Sequence, residues 1–395
     1  MERFKMNRVK RLLDPFCGTG TTLVQAKKRG VASVGIEANP MASFASRVKV
    51  DWRPDPDGLK NHARRIYESV SEEFKSAGIF DEPLLRLLNN NSHPVLRSLK
   101  PELEKMLLKD SISALPLHKT LVLLDHIRKE DHPDFLSHEL LALAKALVNS
   151  ISNLRFGPEV GVGMVKEDAP VMGLWQKEVD LMVDDLRHFK NLADIPSEVH
   201  QADARQMKDL LEPRSIDAVI TSPPYPNEKD YTRTTRLELV LLGFVKDKTG
   251  LQALKKNMVR SNTRSVYKAD DDDQWIAKNE RIQEIADAIE KRRIELGKTS
   301  GFERLYARVT KLYFGGMFRH LRDMRVVLKP GAFLAYVVGD QASYLRVMIR
   351  TGEILSDIAR SLGYEVIGID LFRTRLATAT GEQLREEVVV LRWPG

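Results

Sequence analysis

The sequence predicts an α/β fold: a doubly wound, mostly parallel sheet carrying a large helical insertion. Three observations predict it. Short β-branched runs alternate with helical segments near the start, in the middle and at the end of the chain. The first of these runs enters a glycine turn that opens a helix. A long Leu-rich stretch of helical periodicity separates the first α/β region from the second.

In order, residues 10–50 read as a short strand, a glycine turn, a helix, a second strand from Ala32 to Glu37 and another helix. Helical periodicity dominates from Asp57 to Leu154 and again from Val171 to Lys190, with breaks at Pro83, Pro94, Pro101, Pro116 and Pro133. Residues 198–244 supply strands at Val199 to Ala202 and Ile216 to Thr221, then a helix after Thr232. A basic stretch and a charged helix from Gln274 to Leu296 follow. Residues 300–395 supply a helix, a strand from Ala332 to Val338, a helix, and strands from Tyr364 to Leu371 and Glu387 to Leu391. The expected division is a core in three pieces, 1–54, 196–243 and 301–395. A helical insertion at 55–195 and a basic loop-and-helix insertion at 244–300 interrupt it.

The 395 residues include 43% apolar ones, enough for a packed interior, and carry a net charge of +7. A basic balance suits a polyanionic partner but does not demand one. The single cysteine, Cys17, excludes an internal disulfide framework and a Cys-based zinc site, and fits a reducing, cytoplasmic setting. No apolar run approaches the ~18 residues of a membrane span, and the basic N-terminus lacks the apolar stretch of a signal peptide.

Leu12-Leu13-Asp14-Pro15-Phe16-Cys17-Gly18-Thr19-Gly20-Thr21-Thr22 is a strand entering a glycine loop that opens a helix. Gly18 and Gly20 permit positive φ and close approach of a ligand to the backbone. Thr21 or Thr22 is placed to cap the helix, whose free N–H groups favour a carboxylate. A dinucleotide turn needs a small residue where Leu23 stands, so nicotinamide cofactors are disfavoured. Glu37 ends the second strand, 17 residues after Gly20, where a carboxylate accepts from both hydroxyls of a ribose.

This pairing resembles the first two motifs of S-adenosylmethionine-dependent methyltransferases, whose fold is Rossmann-like. The run D-P-F-C-G-T-G-T-T is similar to the group that methylates amino nitrogens of DNA bases. The resemblance implies S-adenosylmethionine as cofactor, held by Asp14, Phe16, Cys17, Gly18, Gly20, Thr21, Thr22, Glu37 and Thr221. Asp14 then lies near the methionine amino group, and Asp203 binds the adenine amino group. Many members carry an aromatic, Pro-containing cofactor segment before the first strand. The 13 residues ahead of Asp14 show none. That segment is then supplied by the C-terminal part, lies ahead of this start, or is missing, with weaker cofactor binding.

Ile216 to Ile220 is a buried-strand pattern ending in Thr221-Ser222-Pro223-Pro224-Tyr225. Loops after central strands are where open α/β sheets place ligands. Two prolines remove two N–H donors and fix φ, holding the local carbonyls rigid. Tyr225 offers a flat face for a base removed from the duplex. An exocyclic amine is a poor nucleophile because its lone pair is delocalised into the ring. Ser222 and the Pro223 carbonyl, accepting its two hydrogens, favour a pyramidal nitrogen with its lone pair aimed at the sulfonium methyl. Cytosine C5 chemistry needs a cysteine nucleophile, which this turn lacks. The pentapeptide resembles the catalytic motif of the amino methyltransferases, and Ser222 at its second position leans the target to N4 of cytosine over N6 of adenine. Duplex DNA with a flipped base is the implied partner, with a cognate restriction endonuclease or partner subunit alongside. The same chemistry on RNA, or a partner-dependent nucleic-acid-binding subunit, stays open.

Asn227, Asp230, Tyr231 and Arg233 follow the turn and stand as base or phosphate contacts. Gly339-Asp340 reads as a turn on the ligand edge. From Phe244 to Lys268 there are seven Lys or Arg and one acid. Lys255, Lys256, Arg260 and Arg264 are expected to meet DNA phosphates, with Tyr267 or Trp275 near the strand.

Overall fold

The computed structural model describes residues 11–83, 95–157, 159–227, 229–376, 381 and 383–395. The chain divides into two compact units. One comprises residues 1–50, 195–230 and 253–395; the other comprises 51–194 and 231–252.

Among the described residues the first unit is built on seven strands: β1 (Arg11–Asp14), β2 (Ala32–Ile36), β3 (Ser197–His200), β4 (Ile216–Thr221), β5 (Leu328–Gly339), β6 (Glu365–Leu376) and β7 (Gln383–Arg392). They lie in the order β3-β2-β1-β4-β5-β7-β6. The first five run parallel, while β7 is antiparallel to both β5 and β6. The expected mostly parallel, doubly wound sheet is present, and the antiparallel pair closes one edge. The strand order reverses between β1 and β4, so the carboxyl ends of these two strands flank the topological switch point.

Alternation on the strands decides which helix covers which face. Leu13, Val34, Ile36 and Val219 face a core shared with helices α3 (Glu280–Glu295), α4 (Tyr306–Val327) and α5 (Thr351–Ser361). Leu12 and Ala218 point the other way, onto Ala26 of α1 (Thr21–Lys27). Beside them Leu23 of α1 packs with Cys17 and with Val50 of α2 (Pro40–Val50). A Cβ on Gly35 of β2 would stand 2.6 Å from Leu23 Cδ1 and 2.7 Å from Cys17 Sγ. In a dinucleotide fold a small residue on the helix permits this close packing. Here the glycine is on the strand, and the helix can carry Leu23.

The helix expected from Gln274 begins at Glu280, where Asn279 caps it by accepting from the Ile282 amide at 3.1 Å. The Asp272–Ile276 segment is instead a short 3-10 turn held against α4. Asp272 there accepts from Arg205 and Arg319, both at 2.5 Å.

The second unit is helical, as the Leu-rich periodicity predicts. In the Pro56–Ser76 helix, Asp55 accepts from the Gly58 amide and Pro56 occupies the first turn. Leu59, Ala63, Ile66, Val70 and Phe74 form its buried stripe. The Val171–Phe189 helix buries Trp175, Val179, Val183 and Leu186 in the same way. Pro101 opens a short helix and Pro116 sits in the first turn of Ala114–Glu130, while Pro94 lies outside the described residues. Among the described residues no helix is long and apolar enough to cross a membrane.

A Cβ added at Gly315 of α4 would overlap the Asp272 carbonyl oxygen, a backbone atom with little freedom to yield. Gly315→Ala gains about 1 kcal/mol of helix propensity, but the forced shift outweighs it, for a net loss of roughly 1–3 kcal/mol. A lowered midpoint in urea denaturation checks this.

Candidate active site

Two loops meet at the switch point. β1 ends at Asp14 and β4 ends at Thr221. The Thr221 hydroxyl donates to Asp14 Oδ1 at 2.6 Å across 207 residues of sequence. The Thr22 hydroxyl also bonds this carboxyl, and the Phe16 amide donates to it at 3.2 Å. Thr22 therefore serves Asp14 and does not cap α1. Gly20, at φ 88°, occupies the cap position with no side-chain bond. Asp14 is 3% exposed. Burial raises its carboxyl above the ordinary value, opposed by the Thr221 and Thr22 hydroxyls and the Phe16 amide.

The glycine loop folds toward Glu37. The Gly18 amide donates to Glu37 Oε2 at 2.9 Å, and the Asn39 amide donates to Oε1 at 2.7 Å. Burial pushes this carboxyl up to about 7, against those two amides. The Ala38 amide also bonds this carboxyl, and a carboxylate's roughly four acceptor sites exceed these three amides. Gly18 has φ 52° and open space where a Cβ would project, whereas a Cβ on Gly20 would fall 2.6 Å from Ser46 Oγ. Phe16 is half-buried and Thr21 exposed beside the loop. Cys17 is buried, and burial together with Asp14 and Glu37 pushes its thiol well up, so no thiolate forms there.

Beyond Thr221, the turn places Ser222 exposed, Pro223 buried, and Pro224 and Tyr225 half-buried. The Ser222 side chain hydrogen-bonds Tyr225, whose phenol is raised chiefly by burial. Gly339, expected in a turn on the ligand edge, ends β5 beneath the Tyr225 ring, and Asp340 follows it, 1% exposed.

Asp203 lies after β3, but its carboxylate is already engaged. Arg205 Nε reaches Oδ1 at 2.9 Å and Oδ2 at 3.0 Å, and its Nη2 reaches Oδ2 at 2.6 Å. The same guanidinium continues to Asp272. Sequence reasoning missed Arg205 and Asp272, because the pair is 67 residues apart and resembles no motif.

It also missed His320. This fully buried side chain of α4 bonds the Ala204 carbonyl through Nδ1 at 2.9 Å and the Tyr336 hydroxyl through Nε2 at 2.7 Å. Burial lowers it to about 4, so the ring is neutral. A carbonyl only accepts, so Nδ1 carries the proton and Nε2 receives the Tyr336 hydroxyl. The ring packs 4.8 Å from Phe16 and so links the Asp203-Ala204 turn to the glycine loop.

The basic stretch is less solvent-facing than its composition suggests. Arg260 is 3% exposed. It forks onto Asp270 at 2.8 and 2.9 Å and reaches the Lys255, Lys256 and Met258 carbonyls. Lys255 pairs with Asp230 at 2.8 Å. Lys256 is exposed over the Tyr267 ring, and Arg264 stands over Phe302. Trp275 carries Arg322 4.0 Å above its ring. Asn227 accepts from the Lys229 amide. Tyr231 and Arg233 belong to the helical unit, where Arg233 approaches Glu159 at 3.8 Å.

No family model matches the sequence. The type II methyltransferase M.BsoBI of Geobacillus stearothermophilus is 26% identical over 426 residues, taking in 99% of this chain and 80% of the relative. Type II methyltransferases M.AvaI of Nostoc sp. and of Anabaena variabilis are each 32% identical over 190 residues, 45% of this chain and 38% of the relative. The likeness read from two short motifs thus extends along nearly the whole chain.

Arg260→Ala removes one partner of a buried ion pair and should cost about 3 kcal/mol or more, whereas Lys256→Ala, at an exposed position, should cost under about 0.5 kcal/mol. Thermal denaturation of the two variants side by side checks the contrast.

Proposed function

We propose that this relative of the type II methyltransferases transfers a methyl group from S-adenosylmethionine to the exocyclic amino nitrogen of a DNA base, N4 of cytosine, within restriction–modification. One observation carries the reading. The Thr221 to Tyr225 turn, whose residue types suit an amino group, ends the strand next to the glycine loop, and the Thr221–Asp14 bond ties the two together.

The residues fit the cofactor. Gly18 leaves open space before a backbone of positive φ. Glu37 keeps acceptor capacity for ribose hydroxyls, and buried Asp14 offers a carboxyl to an amino group. Asp14, Phe16, Cys17, Gly18, Gly20, Thr21, Thr22, Glu37 and Thr221 would hold it. Asp203 would contribute only through acceptor sites that Arg205 leaves open. When bound, S-adenosylmethionine supplies an electrophilic methyl on a sulfonium.

The chain's own part is positioning. Ser222 and the Pro223 carbonyl accept the two amine hydrogens, which localises the nitrogen lone pair. Pro223 and Pro224 keep that carbonyl from turning away. Tyr225 stacks on the base. Ser222, which lacks the charge of an aspartate at this position, is the feature that favours cytosine. Lys256 and Arg264 would add contacts to DNA phosphates, with Lys255 and Arg260 shaping the segment from within.

Ser222→Ala should raise the barrier to transfer by about 1–3 kcal/mol, with cofactor affinity unchanged; a wild-type single-turnover rate would overturn the role. Nucleoside mass spectrometry of genomic DNA from expressing cells should show N4-methylcytosine. N6-methyladenine would shift the target, and neither base would refute the proposal.

Glu37 gives a pH signature. Its folded value of about 7 lies above the ordinary 4.5. Its contribution to stability is therefore fully present below about 4.5 and lost as pH rises through about 7. Cofactor binding runs the other way, because the ionised carboxylate is the better acceptor for hydroxyls. Titration calorimetry should show affinity for S-adenosylmethionine rising roughly tenfold between about pH 6 and pH 8, with the rise absent in Glu37→Gln.

A further inference from the structure

Beside Tyr225 stands a group of charged side chains that the reading above does not use. A Cβ on Gly339 would lie 3.3 Å from the Tyr225 ring and 3.4 Å from Glu386 Cγ, so these two side chains meet over one backbone position. The Glu386 side chain is 9% exposed, receives Arg373 Nε at one oxygen, and has Arg375 Nε 3.7 Å from the other. Next to it on β7, Arg385 pairs with Glu387, which is 3% exposed. Asp340, 1% exposed, receives Arg350 Nη1 at 2.5 Å.

The arrangement is one-sided. The carboxylates lie inside, while Arg350, Arg373, Arg375 and Arg385 are 38%, 66%, 40% and 42% exposed. Each buried acid fixes one edge of a guanidinium. Arg375 Nη2 also donates to the Asp340 carbonyl at 3.2 Å; the N–H groups left over on these part-exposed side chains suit the oxygens of a phosphate. The positive fields of Arg375 and Arg373 also reach the Tyr225 phenol. By contrast, Arg260 of the basic stretch is enclosed by protein acceptors.

We infer that this arginine rim, with Arg373 and Arg375 nearest Tyr225, grips the DNA phosphates flanking the base that the Thr221 to Tyr225 turn receives. The inference rests on the amino-methyltransferase reading of that turn. Phosphate contacts position a nucleic acid without reading its sequence. The rim therefore sets affinity and the placement of the extruded base, and leaves target choice to other parts of the chain.

The test is a salt titration of binding to a random-sequence DNA duplex with S-adenosylhomocysteine present. In Arg373→Gln/Arg375→Gln the slope of log K against log salt should fall by about 1.8, the value for two lost phosphate contacts. Arg373→Lys/Arg375→Lys should restore the slope. The Gln variant should also raise KM for DNA while S-adenosylmethionine binding by calorimetry stays at the wild-type value. An unchanged slope overturns the inference, as does an unchanged slope joined to a loss of self-association, which would mark a protein interface. A wild-type chain that neither binds S-adenosylmethionine nor methylates DNA instead sinks the parent reading. A second measurement needs no variant: DNA should slow phenylglyoxal modification of Arg373 and Arg375 several-fold, and leave Arg29, exposed beyond the C-terminal end of α1, unaffected. Equal rates with and without DNA also overturn the inference.

Discussion

The site depends on one hydrogen bond, from the Thr221 hydroxyl to Asp14 Oδ1. It joins the carboxyl ends of two adjacent parallel strands where the sheet reverses its winding. β1 delivers a glycine loop and β4 delivers a proline turn. Parallel pairing sets their spacing, and the bond locks the side chains between them. Because Asp14 is buried, the hydroxyls and the amide around it supply the stabilisation that water would otherwise give its charge. Loss of either partner would disturb both loops at once.

Around this point, acids are managed in two different ways. Asp14 and Glu37 are met by neutral donors only, and burial raises both. They remain able to accept from a polar ligand. Asp203, Asp270 and Asp272 are instead met by arginines: Asp203 by nearby Arg205, Asp270 by Arg260 ten residues before it, and Asp272 by Arg205 and Arg319 from distant segments. These pairs fasten the chain from Asp203 to Arg205, the turn at Asp272 and the basic stretch onto α4. The first group forms a receptive surface, and the second forms its frame. His320 belongs to the frame: held neutral, it bridges a turn and a loop without adding charge to a site that already contains two carboxyls.

The basic stretch shows why composition is a poor guide to surface charge. Its excess of cations over acids is plain in the sequence, yet Asp230 and Asp270 draw Lys255 and Arg260 inward. The hairpin of β6 and β7 does the reverse. There the acids are the buried partners and the arginines are left at the surface. In both places a pair forms because one buried charge without its counterpart would be costly. Which member faces outward depends on the length of its side chain and on the backbone behind it.

Much of this molecule was legible in the chain. Ile216 to Thr221 matches β4 to the residue, and Ala32 and Val171 are the observed starts of β2 and of their helix. Gly18, Gly20, Pro223 and Pro224 announce their loops because their backbone limits act locally, whatever surrounds them. Periodicity marks the helical unit for the same reason: one face must be apolar for a helix to be buried. What the sequence by itself determined is therefore the type of element and the chemistry carried at each strand end. Only the tertiary structure decided the antiparallel closing edge, the 3-10 turn before Glu280, and the destinations of Thr22, Asp203 and Arg260. The decisive partners there, such as Arg205 with Asp272 or Thr221 with Asp14, lie 67 and 207 residues apart. A side chain's charge or hydroxyl is written in the sequence, but the partner that claims it is chosen by the packing of distant segments.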